Sequence, residues 1–525
     1  MNLYSKYYNE IKINNINYEK LLKEFSKEKN LEKQIKIAQL ILKYAVKNNN
    51  GLFTSSKLEM FFLNYAKTLQ VNIKYIKYEK NSFLHILTEG YSTGGHTRVV
   101  ERWIKNAPNE QKHSVVILKP NGAVLHQLKN AIKSKNGDYI EFELNAELKD
   151  SALKLRELAS NYEYIILHTH MDDPTATIAF GTEEFKRPVL LYNHASHLFW
   201  IGKSIADIVL EIKKGDPITY NKRNINNTYY LGVPTPEINI NHYDKKEARK
   251  KLKLPIDKKI IVTSGSKNKY ICLCHNNYAN YIQEIIDKNT FCYVIGVDPK
   301  NKIWQKAYKT SKGHIIPMKP IKFNRGYLDY IRSADLYIDS YPIGGGTAMI
   351  DAISNGTTSL SLDSIYPQFN YLIKTQSYCK TKEEFINKAK RILYDNEYSK
   401  TIYEEQAKSL EENQSIEEWN KRLEKLLATI PKEHRIKDLS EETDNTEPCD
   451  LSVLDYYMGK EKFEPSKNKI WSQRDVNIRI KYGYLSKIQQ IPILFRIETY
   501  KKDIYKTKIF KILGITIYTK TFNNK

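Results

Sequence analysis

The chain has 525 residues with 41% apolar and 27% charged side chains, which is too long for one ordinary domain and too apolar for a disordered polymer. Its formal net charge of +23 rests on lysine, 69 Lys against 14 Arg, so part of it reads as an AT-rich coding bias. The remainder favours anionic partners: nucleotides, phospholipid surfaces or nucleic acid. Five cysteines, Cys272, Cys274, Cys292, Cys379 and Cys449, form no CxxC pair and read as buried thiols of a reducing compartment.

The opening "MNLYSKYYNE" lacks the apolar core of a signal peptide, and no run reaches the ~18 apolar residues of a membrane span. A cytosolic protein is expected, free or held on the inner face of a membrane. Residues 1–80 have helical spacing, with Leu21, Leu22, Phe25, Leu31, Ile35, Ile37, Ala38, Ile41 and Leu42 as an apolar stripe. They read as a helical packing module.

From Ser82 the texture changes to short apolar strands alternating with helices. "FLHILTEG" (83–90), "HSVVIL" (113–118), "YEYIILHTH" (162–170) and "RPVLLYNHA" (187–195) are the strands of a first unit over 81–238, closed by the proline-bearing "YYLGVPTPEI". A second unit over 239–430 uses "KKIIVTSGSKNKY" (258–270), "FCYVIGVD" (291–298), "HIIPMK" (314–319), "DLYIDSYP" (335–342) and "TTSLSLD" (357–363). Two consecutive doubly wound units predict an α/β fold of two Rossmann-like domains facing a cleft. Residues 431–470 turn acidic and read as a linker. Residues 471–525 carry 12 Lys/Arg against 3 Asp/Glu among bulky apolar residues. That tail suits either an anionic bilayer surface or a small basic cap on the body, the latter favoured by the alternation of Ile515 and Ile517.

"DSYPIGGGTAMIDAISNG" (339–356) reads as strand end, three-glycine turn and helix. Three consecutive glycines leave the backbone bare at a helix N-terminus, where Gly345, Gly346 and Thr347 can seat a phosphate. Asp351, one turn further, is placed for ribose hydroxyls, and Gly356 caps the helix. These residues resemble the nucleotide-binding stretch of GT-B glycosyltransferases. The likeness is nearest to the group of O-linked N-acetylglucosamine transferases and bacterial cytoplasmic N-glycosyltransferases, with bacterial surface-polysaccharide glycosyltransferases beside it. Asp339, Pro342, Gly345, Thr347, Asp351, Ala352 and Gly356 match its pattern, whereas Ala348 stands where a second threonine is usual.

The resemblance implies a nucleotide-sugar donor, UDP-linked, on the second domain, with no metal or other cofactor, and a glycan, lipid-linked or protein acceptor on the first. It places a basic residue for the donor diphosphate in "TSGSKNKY", where Ser266, Lys267 and Lys269 are available. Met318 and Lys319 fall where the base usually stacks. In the first domain "TEGYSTGGHTRVVERW" is a strand, glycine turn and helix, putting Gly94, Gly95 and His96 at the cleft with Arg98 and Arg102 one turn apart.

His170 and His194 are the candidates for the base that removes the acceptor proton, with Asp207 available to orient one of them. A competing reading takes His168, His170 and Asp172 of "HTHMDD" as the metal ligands of a hydrolase, with His194 and His197 nearby. A third treats the +23 charge as a nucleic-acid surface, although no such signature is present. No D-x-D triplet occurs, which argues against a metal-held diphosphate.

Overall fold

A computed structural model describes residues 3–69, 77–92, 95–123, 125–144, 146–196, 198–212, 214, 218–235, 244–270, 278–321, 326–363, 372, 374–442, 444, 470–482, 484–491, 495–502, 505–512 and 515–523. Three helices, Leu3–Lys27, Leu31–Lys47 and Ser56–Thr68, open the chain. The second and third are capped by Asn30 and Ser55, whose side chains accept from the amides of Lys33 and Leu58. Leu21, Leu22, Phe25, Ile37, Ala38, Ile41 and Leu42 are buried as the spacing requires. Leu31 is exposed, because it is the first residue of its helix. The inward stripe does not form a separate core: it is continuous with Ala176, Ile178 and Phe180 of the next unit.

The first sheet contains β1 (Glu79–Leu87), β2 (Lys112–Ile117), β3 (Tyr139–Glu141), β4 (Tyr162–His168), β5 (Val189–Asn193), β6 (Ile208–Glu211) and β7 (Thr228–Tyr230). Its order is β3-β2-β1-β4-β5-β6-β7, with every pair parallel. The second sheet contains β8 (Lys259–Ser264), β9 (Thr290–Ile295), β10 (Ile315–Met318), β11 (Leu336–Ile338), β12 (Ser359–Leu362) and β13 (Tyr378–Cys379), in the parallel order β10-β9-β8-β11-β12-β13. Both orders reverse once, between β1 and β4 and between β8 and β11. Loops leaving the carboxyl ends of those four strands are where doubly wound sheets bind ligands. The strands are nearly continuous apolar runs because helices cover both faces. Cys292 and Cys379 are buried free thiols; burial pushes Cys379 up to about 12 and Cys292 further. Cys272, Cys274 and Cys449 lie outside the described residues.

The chain crosses back after the second sheet. Trp419, Leu423 and Leu426 of helix Ile416–Thr429 pack with Phe83, Val99, Trp103, Ile166 and Tyr192 of the first unit. At about 1.5–3 kcal/mol for each large apolar side chain buried, this helix ties the two units together. The expected linker is therefore not one over its described part. Residues 431–442 run along the first unit: His434 contacts Asp207 at 2.8 Å and Lys437 donates its amide to Ser204 O, while Asp444 accepts from Ser55 and Ser56 of the helical module. Residues 445–469 lie outside the described residues.

The basic tail folds. Helix Gln473–Tyr482 is followed by an antiparallel meander, β14 (Tyr484–Ile491), β15 (Phe495–Lys502), β16 (Tyr505–Ile512) and β17 (Ile515–Asn523). Its entry is anchored on the N-terminal helices. Trp471 stacks edge-on against Tyr44 at 4.9 Å, its amide donates to Asn17 Oδ1 at 2.8 Å, and Arg479 lies 3.8 Å over its ring. Among the described residues no helix is long and apolar enough to cross a membrane.

Candidate functional site

The three-glycine turn leaves the carboxyl end of β11, at the reversal point of the second sheet. Gly346 has φ 51° and ψ −92°, a conformation closed to residues with a Cβ. Gly345 is constrained differently, since a Cβ there would lie 2.9 Å from Asp339 Oδ1. That carboxylate accepts the amides of Ser340 at 2.9 Å and Gly345 at 2.6 Å, so the Gly345 amide serves the turn and is not offered to a ligand. The amides of Gly346 and Thr347, at the mouth of helix Thr347–Ser354, have no partner among the described residues. Gly356 ends the helix with φ 79° as expected.

Lys269 follows Ser266 in the turn after β8, the other strand at the reversal point. Its ammonium does not point outward: Nζ donates to Gly344 O at 2.7 Å, and burial lowers its pKa while nearby Asp339 opposes that shift. Lys269 thus braces the glycine turn, while Ser266 stays exposed. Lys267 lies in the short 3-10 helix Lys267–Tyr270, and its side chain is outside the described set. Met318 ends β10, and its carbonyl accepts the amides of Gly296 and Val297.

From the first sheet, helix Gly95–Asn106 meets this turn. A Cβ on Gly95 would lie 3.2 Å from Thr347 Oγ1, so the N-termini of two helices, one per unit, converge at one point of the cleft. Beside that contact Asp351, 1% exposed, accepts from Arg98 Nη2 at 2.8 Å on both oxygens and from Arg102 Nη2 at 2.5 Å. Arg102 is lowered from the usual guanidinium range by burial, which Asp351 opposes and Arg98 adds to. Asp351 was expected to hold ribose; in the structure it closes an ion pair between the two units. Gly94 lies outside the described residues.

The histidines gather on the first-sheet wall. His170 Nε2 lies 2.9 Å from Tyr91 OH, which itself donates to Glu89 at 2.9 Å. Since a carboxylate only accepts, the tyrosine proton goes to Glu89 and His170 Nε2 is the donor. His96 Nε2 donates to His168 O at 2.9 Å, leaving a buried Nδ1 without a partner, and burial holds His96 down to about 4. His194 sits just past β5, its ring 4.4 Å from His96 and 4.7 Å from Tyr192. Burial, then the neighbouring His96, hold it well below the usual histidine value. His170 and His194 line one recess with Thr169, Met171, Trp200 and Ile201, of about 330 Å³ counted out to open solvent.

His168 is not a metal ligand here. Its Nε2 lies 3.1 Å from His85 Nδ1 and its Nδ1 lies 2.9 Å from His194 Nε2, which uses both ring nitrogens. His170 turns to Tyr91, so two of the three expected ligands are engaged elsewhere. The hydrolase reading therefore loses its ligand set, and no trio of metal-ligating side chains occurs among the described residues. Asp207 does not orient either cleft histidine: it accepts from His434 and from the amides of Val189 and Arg435. His197 is outside the described residues. His85 and His113 carry no sequence signal of their own, because a lone histidine in an apolar strand looks like core. Only their pairing across neighbouring strands separates them from it.

No protein-family model and no curated protein matches the chain. Solved structures do. Alr3699/HepE from Anabaena, in complex with UDP-glucose, is similar over 66% of this chain and 100% of its own at 11% identity and a TM-score of 0.51. A glycosyltransferase from Rickettsia africae is similar over 67% of this chain and 100% of its own, at 12% identity and a TM-score of 0.51. The fold is GT-B. The two parallel sheets are the two halves of that fold.

Proposed function

We propose that this chain is a glycosyltransferase that moves a sugar from a nucleotide donor, most simply UDP-linked, to an acceptor hydroxyl. The observation that carries the reading is the convergence of two helix N-termini at Gly95 and Thr347. Bare amides there face the place where a diphosphate leaving group would gather charge, and aligned helix dipoles offset that charge without a metal ion. A second element sits on the first-sheet wall, where His194 and His170 border one recess. Removal of a proton from the acceptor there makes the oxygen nucleophilic as the nucleotide departs.

The acceptor in this reading is a bacterial surface-glycan precursor or a protein. Its basis is the basic meander, which would hold the enzyme against an anionic membrane surface from the cytoplasmic side. Thermal-shift titration with UDP, GDP, CDP and their sugars tests the central claim. Stabilisation by one nucleotide supports it, and none by any of them sinks it. Truncation after Tyr482 keeps the Trp471 anchor, and should remove binding to anionic liposomes while leaving nucleotide binding intact.

A further inference from the structure

Four histidines stand on four adjacent strands in sheet order: His113 on β2, His85 on β1, His168 on β4 and His194 at the end of β5. Their rings form one continuous chain of hydrogen bonds. Gln111 Oε1 lies 3.1 Å from His113 Nε2; His113 Nδ1 lies 3.0 Å from His85 Nε2; His85 Nδ1 lies 3.1 Å from His168 Nε2; and His168 Nδ1 lies 2.9 Å from His194 Nε2. Trp103, Phe83 and Tyr192 cover the chain, and His85, His113 and His168 are fully buried.

Burial holds His85 down to about 3 and keeps the other three well below the usual histidine value, so all four rings are neutral near pH 7. A neutral imidazole has one N–H and one lone pair. Four rings therefore supply four protons, and the three histidine–histidine contacts each take one. The fourth must sit at an end of the chain, either between His113 and Gln111 or on His194 Nδ1. A carbonyl oxygen accepts only, so the Gln111 contact takes it. Every ring is then the Nε2–H tautomer, and His194 is left with a bare Nδ1, which has no partner among the described residues.

We propose that Gln111, His113, His85 and His168 form a tautomer relay that fixes His194 with its Nδ1 lone pair available at the recess as proton acceptor. Gln111 is a positioning residue, acting through three rings on a nitrogen three strands away. Conventional outer-shell partners orient an imbalanced imidazole by one contact; here the choice is transmitted by proton counting, so cutting any link releases it. The role of His194 as base rests on the glycosyltransferase reading, whereas the relay itself does not.

Long-range ¹H–¹⁵N correlation spectra of the full-length protein labelled at histidine separate the two tautomers directly, with His194 assigned by its loss in His194→Ala. The wild type should show His194 protonated at Nε2 and bare at Nδ1. Gln111→Glu retains an acceptor and should keep that pattern. Gln111→Met removes it and should move proton density onto His194 Nδ1, and His85→Leu, cutting the chain in its middle, should do the same. With UDP-glucose as donor and water as acceptor, Gln111→Met should lower kcat about ten-fold at unchanged KM, the low end for outer-shell partners of a functional imidazole. A wild-type His194 protonated at Nδ1, or a Gln111→Met spectrum identical to wild type, overturns the relay. If none of UDP, GDP, CDP and their sugars is bound the function falls, and the spectra still decide the relay.

Discussion

At the level of single residues, the donor-side turn depends on a backbone only glycine adopts. Gly346 at φ 51° and ψ −92° would cost about 1–3 kcal/mol with any side chain added, and the strain falls on the amides that Gly346 and Thr347 offer to a phosphate. Gly346→Ala should therefore lower the melting temperature by several degrees and abolish stabilisation by UDP. An unchanged melting curve with intact nucleotide response would show that these amides are not the seat. Gly345 is a useful contrast. Its amide is already spent on Asp339 at 2.6 Å, so a substitution there should destabilise the turn, through the 2.9 Å clash with that carboxylate, more than it alters any ligand contact directly.

At the level of elements, helices Gly95–Asn106 and Thr347–Ser354 are clamped by Arg98 and Arg102 on Asp351, buried at the interface of the two units. Removing one partner of a buried ion pair typically costs about 3–5 kcal/mol, because the charges left behind are unmatched. Asp351→Asn leaves two guanidiniums facing a neutral amide, and should destabilise the protein by that order in urea unfolding. It should also widen the cleft, read as a larger radius of gyration by small-angle scattering. Equal stability and equal radius would mean that the clamp holds nothing. This contact also marks where sequence reading stopped. The central strands of both sheets are legible from their apolar runs, and the turn from its glycines, because both are local signals; the short β3, β6, β7 and β13, of two to four residues, carry too little pattern to be read. Asp351 and Lys269 are singled out as well, but as ligands of ribose and of the donor diphosphate. Asp351 instead takes Arg98 and Arg102, a pairing set by how the two sheets dock, and Lys269 takes the Gly344 carbonyl, a contact set by how two loops of one sheet meet; no spacing records either. The same applies to residues 431–444: acidic composition suggests a solvated linker, while Asp444 and Glu442 are in fact matched to Ser55 and Lys203 some 240 to 390 positions away.

For the molecule as a whole, the row of buried histidines sets how stability responds to acid. His85 is held down to about 3 and His96 to about 4, and His113, His168 and His194 are lowered too, all chiefly by burial. In the unfolded chain each imidazole titrates near ~6.5. As pH falls below that value the unfolded state binds protons that the folded state refuses, so stability is complete above about 6.5 and drains away toward the folded values near 3 to 4. Each such histidine adds a slope of about 1.4 kcal/mol per pH unit. Asp173 acts in a separate, lower window: held down to about 2 by Lys119, Thr175 and Thr88 against its own burial, it supports the fold above the ordinary carboxylate range and is lost only as pH falls through about 2. The acid limb should thus begin with histidine. Melting temperature should be level from pH 8 to 7 and then fall steeply between pH 6.5 and 4.5, before most carboxylates protonate. His96→Asn removes one of these rings without cutting a ring-to-ring hydrogen bond of the four-membered chain, and should make that limb shallower by about one proton. A melting temperature constant down to pH 4.5 would require the rings to accept protons where they stand, and both the burial argument and the proton count along the row would fail with it.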